Sequence, residues 1–350
     1  MAAARVAPII GILLLGLGLL APPAGAAPPS RWQRGVSLGL FSEDAGWSYG
    51  GLLDEIATLG ADHVELVVPW YLHDVHASEI HDHPRLTPPR AAIVRTIREA
   101  HARGLQVLLF PIVRLEVQKN SDEWRGTLAP HDRPALLSSY RRALVGLAEL
   151  AAREHVALLS VGSELSTLDV DHDAWAPIIA AVRKVYRGRL MYSGNWDHYE
   201  RVAIYDLVDY AGLCVYFPLG ERGQAADDET LRKRWQALRE KLVAFSARIA
   251  RPLVLAEVGY LSQRGAAAWP WEEGATEPVD LEEQRRCYEA FRRTWQDAPP
   301  AGVYFWNWYG WGGPTSGGYT PRNKPAAGEI RRFFLFRGEP SRSSSRGRAG

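Results

Sequence analysis

Residues 156–164 read VALLSVGSE, a short apolar run that ends in an acid. A run of this length between two segments of helical periodicity reads as a buried strand. The same unit recurs as RGVSLGLF at 34–41, HVELVVPW at 63–70, LQVLLFPIV at 105–113 and RLMYSGNW at 189–196. It returns as VDYAGLCVYFP at 208–218, PLVLAEVGY at 252–260 and GVYFWNWYG at 302–310. Between these lie amphipathic segments at 50–60, 90–103, 132–154, 172–186, 227–250, 280–297 and 325–334, with a shorter helix expected over 198–207. Gly60 and Gly104 close two of them, while Asp132 and Pro134 are start signals for a third. Eight strand–helix units without a break in composition predict a (β/α)8 TIM barrel. A doubly wound open sheet is the alternative, and eight uninterrupted units weigh against it.

Residues 30–337 therefore form one catalytic domain in this reading. Residues 1–29 are set apart: Arg5 precedes the uncharged run VAPIIGILLLGLGLLAPP, and small residues AGAA follow. That order is a secretory signal, or a retained N-terminal membrane anchor, and it predicts an exported protein, periplasmic or extracellular. Residues 338–350 form a basic Ser/Arg tail expected to be solvated.

The formal net charge is only +1, and no basic stripe with interleaved aromatics runs along the body, so no nucleic-acid partner is expected. Cys214 and Cys287 are the two cysteines, far apart in the chain, and both read as core residues rather than as a disulfide or thiolate metal pair. There are 13 Trp and 14 Tyr in 350 residues, a density that suits an exposed stacking surface for sugar rings besides core anchors.

In a barrel of this kind, chemistry belongs at the C-terminal ends of the strands. Glu164 ends the fourth strand and Glu257 lies near the end of the seventh. An acid after an apolar run is penalised by desolvation unless it is paired or has a task. Two such acids facing one cavity can divide glycoside hydrolysis between a proton donor and a nucleophile. Trp306 is expected beneath the sugar at the cleavage point, and Tyr216 is placed to donate to the nucleophile. Asn195, Trp196, Trp70, Arg114 and Trp308 complete the expected substrate-binding set, with one Trp of WNW expected to face the mouth and the other to pack behind the wall. His73, His76, His81 and His83 share a loop with Asp74 and Asp82, but their spacing fits no specific metal pattern. No phosphate loop, dinucleotide fingerprint, HExxH helix or GxSxG elbow is present, so no cofactor or metal is expected.

These residues carry a resemblance. SVGSELS around Glu164, GNWD around Asn195, LAEVGY around Glu257 and FWNWYG around Trp306 resemble the bacterial β-mannanase-like enzymes of glycoside hydrolase family 113. The likeness spans about 34–335. It implies a retaining mechanism with Glu164 as acid/base and Glu257 as nucleophile. It also implies endo-acting hydrolysis of β-1,4-mannosidic bonds in mannan, glucomannan or manno-oligosaccharides. The wider group commonly has Asn before the acid/base, where this chain has Ser163, so Asn195 is expected to share in sugar binding. Two other functions stay open at this level: a retaining β-glycosidase of other specificity, and a catalytically silent carbohydrate-binding envelope protein.

Overall fold

The computed structural model describes residues 32–224, 226–272 and 276–336. The expected leader at 1–29 and the tail at 338–350 lie outside them. Eight parallel strands close into a barrel in chain order. They are β1 (Gln33–Gly39), β2 (His63–Leu72), β3 (Gln106–Leu115), β4 (Leu158–Ser163), β5 (Arg189–Asn195), β6 (Tyr210–Cys214), β7 (Leu253–Val258) and β8 (Gly302–Phe305). Closure comes from β8 pairing with β1, Gly35 opposite Tyr304. That pairing settles the choice against an open sheet.

Around the barrel run α1 (Gly50–Thr58), α2 (Arg90–Ala102), α3 (Arg133–Arg153), α4 (His172–Val185), α5 (Asp228–Ile249), α6 (Leu281–Trp295) and α7 (Ala326–Leu335). Helices α3 to α6 all start on an aspartate, Asp132, Asp171, Asp227 and Asp280, whose carboxylate accepts from a backbone N–H three residues on. Each cap satisfies a donor that the helix cannot. The expected helix over 198–207 is instead two 3₁₀ turns, Tyr199–Arg201 and Tyr205–Leu207. No described helix is long and apolar enough to cross a membrane.

Alternation along the strands divides the core in two. Val67, Phe110, Leu158, Met191, Val254 and Tyr304 belong to the cluster that fills the barrel. Their neighbours Val68, Leu109, Leu159, Leu190, Leu255 and Val303 pack outward in the larger cluster shared with the helices.

The alternation breaks in β4 and β7. Register with the neighbouring strands slips between Ser160 and Ser163, and again between Leu255 and Val258. In β4, a Cβ on Gly162 would lie 2.7 Å from the Tyr140 hydroxyl on the outer side. Ser163, next in line, turns inward toward Cys214. In β7, Cys214 pairs with Glu257 after Leu213 has paired with Leu255. A regular strand with Val254 inside would point residue 257 outward, so the slip re-aims Glu257 into the mouth.

Candidate active site

Glu164 follows β4 directly and has φ of 55°, in the left-handed region that non-glycine residues seldom adopt. Its backbone N–H donates to the Ser193 carbonyl at 2.8 Å, which holds the turn and directs the side chain over the barrel. Backbone strain of this kind recurs where a side chain must be aimed for a task.

One oxygen of Glu164, one of Glu257 and the Cys214 Sγ lie within 4.8 Å of one another, all three residues buried. Tyr216 donates its hydroxyl to Glu257 Oε2 at 2.7 Å, whereas Glu257 Oε1 has no protein partner. Arg125 Nη2 donates to Glu164 Oε2. Burial, and then the charge of Glu164, push Glu257 up to about 7. Arg125, the Tyr216 hydroxyl and the Cys214 thiol act in the opposite direction. Cys214 itself is pushed well above the usual thiol range by burial and by both carboxylates, so it stays a neutral thiol among Ser163, Ser193 and the two acids.

Trp306 is partly buried and packs on both the barrel filling and the group formed by Cys214, Tyr216, Leu261 and Tyr319. It therefore forms a wall beside Glu257. Tyr319 crosses the Tyr216 ring edge-on at 5.9 Å and keeps that ring in place. Trp196 reaches the same group and stacks on Trp271, with ring centroids 4.9 Å apart and 24° between planes. Trp271 is exposed, so the pair presents an aromatic surface on the rim. Arg114 is exposed at the mouth, its guanidinium 5.6 Å from the Phe41 ring centre.

Three of the expected substrate-binding residues have other partners in the structure. Trp70 points out of the barrel and meets Tyr140 of α3 edge-on at 5.7 Å, in the outer core. Trp308 is also on the outer side, where its Nε1 donates to Glu55 Oε2 at 2.8 Å beneath the bidentate Arg322. Trp70 follows from parity, two residues on from outward Val68, whereas Trp308 lies beyond the end of β8, where the alternation no longer holds. Asn195 stands at the mouth, but its Nδ2 donates to Asp197 at 2.8 Å and its Oδ1 accepts from the Trp196 N–H, so its amide holds the turn.

The histidine loop ties the loop after β2 to the loop after β3. His73 and His81 both bond Glu116, His76 bonds the Ala129 carbonyl and stacks on His131, and His83 accepts from two backbone N–H groups. These contacts diverge rather than converge on one point.

Sequence reasoning did not single out Arg125 or Glu65. Arg125 lies on a 3₁₀ turn, Arg125–Thr127, inside the polar stretch after β3, where no periodicity marks it. Glu65 did leave a signal, an acid inside HVELVVPW. It is wholly buried in β2 opposite Ser37, neither oxygen has a protein partner, and burial pushes it well above the carboxylate range. It is therefore a neutral acid, and the charge of Glu257 adds to the effect of burial.

A closed barrel whose strand ends carry two close, buried carboxylates, with a tyrosine on one and a tryptophan wall beside it, defines the barrel glycoside hydrolases. The chain belongs to Glycoside Hydrolase Family 113, whose family model matches residues 40–311. The structure is similar to the GH113 beta-mannanase AaManA from Alicyclobacillus acidocaldarius in complex with ManMIm, at 26% identity and a TM-score of 0.75, over 87% of this chain and 97% of that one. A complex of a GH113 beta-1,4-mannanase is similar at 20% identity and a TM-score of 0.77, over 87% and 99% of the two chains. GH5_18 from Streptomyces cattleya in complex with GlcNAc shares the fold at 18% identity and a TM-score of 0.54, over 88% and 82%. No curated protein sequence matches the chain.

Proposed function

We propose that the protein is a retaining endo-β-1,4-mannanase in which Glu257 is the nucleophile and Glu164 the general acid/base. The observation that carries the mechanism is the approach of the two carboxylates within 4.8 Å. Retaining enzymes keep their pair about 5–5.5 Å apart, while inverting ones need about 6.5–9.5 Å to seat a water. Mannan as the substrate class rests on the family and on what the first two structures named above act on.

In the first step Glu257 Oε1, free of protein partners, attacks the anomeric carbon as the bond to the leaving oxygen breaks. The proton of Glu164 goes to that oxygen, and a glycosyl ester on Glu257 results. Tyr216 stays on Oε2, stabilising negative charge there and directing Oε1 toward the sugar. In the second step Glu164 takes a proton from water, whose oxygen attacks the same carbon and releases Glu257. Trp306 offers the ring face beside the reacting sugar, and the Trp196–Trp271 surface extends binding along the chain of sugars. Arg114 supplies a polar contact at the rim. The apolar run within residues 1–29, read as a secretory signal or a retained anchor, is what supports proposing that the activity is exported.

Product analysis over time with β-1,4-mannohexaose tests the substrate. Shorter manno-oligosaccharides from the wild-type protein, with none from Glu257→Gln, are expected. A folded wild-type protein that cleaves a different β-glycan and leaves mannohexaose intact would overturn the mannan assignment. One that binds mannohexaose without turnover would favour a silent binding protein.

A further inference from the structure

Glu164 has φ of 55°, a conformation that a residue with a side chain leaves unless its surroundings hold it there. The two peptide planes that flank its Cα carry the N–H of Glu164 and the N–H of Leu165. The first donates to the Ser193 carbonyl at 2.8 Å and the second to the Tyr192 hydroxyl at 2.9 Å. Because each plane is rigid, one bond fixes φ and the other fixes ψ. Two successive residues of β5 thus clamp the backbone that aims the acid. We propose that Tyr192, Asp169 and His198 are positioning residues for Glu164, a buried chain of hydrogen bonds behind the barrel wall that keeps its carboxyl directed at the glycosidic oxygen. This rests on the acid/base reading of Glu164.

The chain has a fixed direction. Tyr192 donates its single hydroxyl proton to Asp169 Oδ2 at 2.7 Å, which leaves the oxygen's lone pairs to receive the Leu165 N–H. Asp169 Oδ1 pairs with His198 Nε2 at 3.0 Å. Tyr192 and Asp169 are wholly buried, whereas the His198 side chain is 15% exposed. Asp169 also belongs to the turn that it supports, since its own N–H donates to the Leu165 carbonyl at 2.9 Å. Both backbone groups of Leu165 are therefore held, the N–H through Tyr192 and the carbonyl by Asp169 directly. His198 stands in the loop after β5 that carries Trp196, so the chain joins the loop of the acid to the loop of the stacking surface.

Packing fixes the Tyr192 ring in turn. It meets Trp175 of α4 edge-on with ring centres 5.7 Å apart, and Tyr205 at 6.5 Å. A Cβ on Gly162 would lie 3.1 Å from the Tyr192 ring, so the bare backbone two residues before the acid gives that ring its place against β4. Tyr192 belongs to the outer core shared with the helices, on the opposite face of the barrel wall from the sugar. Its influence on the reaction passes through the Glu164 backbone. Tyr140, another buried tyrosine of this outer shell, donates to the Val161 carbonyl at 2.8 Å and not to the turn, which makes it the control.

The test compares kcat/KM for two leaving groups. Mannohexaose needs its leaving oxygen protonated, whereas 2,4-dinitrophenyl β-mannobioside releases a phenolate that departs without an acid. Tyr192→Phe should lower kcat/KM on mannohexaose about 10- to 100-fold, the order expected when a general acid is misaimed but still present, and leave the aryl substrate near wild type. Tyr140→Phe should treat the two substrates alike. An equal loss on both substrates in Tyr192→Phe, or a loss on neither, would overturn the proposal. His198→Ala, at the exposed end of the chain, should show the same preference to a smaller extent. It decides the question where Tyr192→Phe does not fold, and a His198→Ala enzyme without that preference overturns the proposal. Glu164→Ala separates this from the underlying reading, for it should lose mannohexaose turnover and keep the aryl substrate. Failure of that split removes the acid/base role itself, while a split in Glu164→Ala with none in Tyr192→Phe removes the positioning role alone.

Discussion

Glu257 is held in a state that opposes stability and serves chemistry. A carboxyl with a folded pKa of about 7 and an ordinary value of 4.5 binds more protons folded than unfolded between those limits. Stability therefore falls as pH rises from 4.5 to 7, by roughly 3 kcal/mol in all. Glu257→Gln removes that penalty, so the variant should be inactive and more stable than wild type at pH 8. The difference should vanish near pH 4, as read by urea unfolding at each pH. Tyr216→Phe removes the donor on Oε2. A hydrogen bond to a charged group is worth about 1.5–3 kcal/mol, so kcat should fall roughly 10- to 100-fold. The acid limb of the rate profile should also move upward, because Glu257 loses a contact that favours its ionised form. Glu164 and Glu257 were legible because an acid closing an apolar run is conspicuous. Glu65 carried the same signal in the middle of a strand, and went unread. Cys214 is buried as a core cysteine would be, but which way its sulfur faces depends on the barrel register.

At the scale of the element, strand parity, and the point where it stops, decides which aromatic residue meets sugar. Trp306 faces inward and Trp308 outward, two residues apart, because β8 ends at Phe305 and the chain bends into the mouth loop between them. Trp306→Ala should lower kcat/KM on the order of 100-fold, about 2.7 kcal/mol, with a smaller effect on folding. Trp308→Phe should do the opposite. Loss of the indole donor to Glu55 should lower stability by about 1.5–3 kcal/mol in urea unfolding while KM stays near wild type. The strand runs at 208–218 and 302–310 were read too long for a related reason. Residues beyond Cys214 and Phe305 are as apolar as the strands, but only single backbone bonds, from Val215, Trp306 and Trp308, continue the regular ladder there. The slips in β4 and β7 left no mark in composition, and simple alternation would have turned Glu257 away from the site.

At the scale of the whole molecule, eight repeating units made the barrel legible, since each apolar run needs neighbours on both sides and closure alone supplies them for the first and last. The final helix completes this. Phe333 of α7 lies 4.9 Å from the Trp32 ring centre and 5.9 Å from that of Phe305, and Arg34 donates to the Phe334 carbonyl at 3.1 Å. A chain ended after residue 324 should lose cooperative unfolding and near-ultraviolet circular dichroism, because the β1–β8 seam would lose its cover. A truncated chain that still melts sharply would show the seal to be dispensable. The most direct test of the central claim is proton NMR of mannohexaose cleavage, read before mutarotation equilibrates the new reducing ends. Double displacement through Glu257 predicts that the β-anomer appears first; an initial α-anomer would contradict the retaining assignment of Glu164 and Glu257.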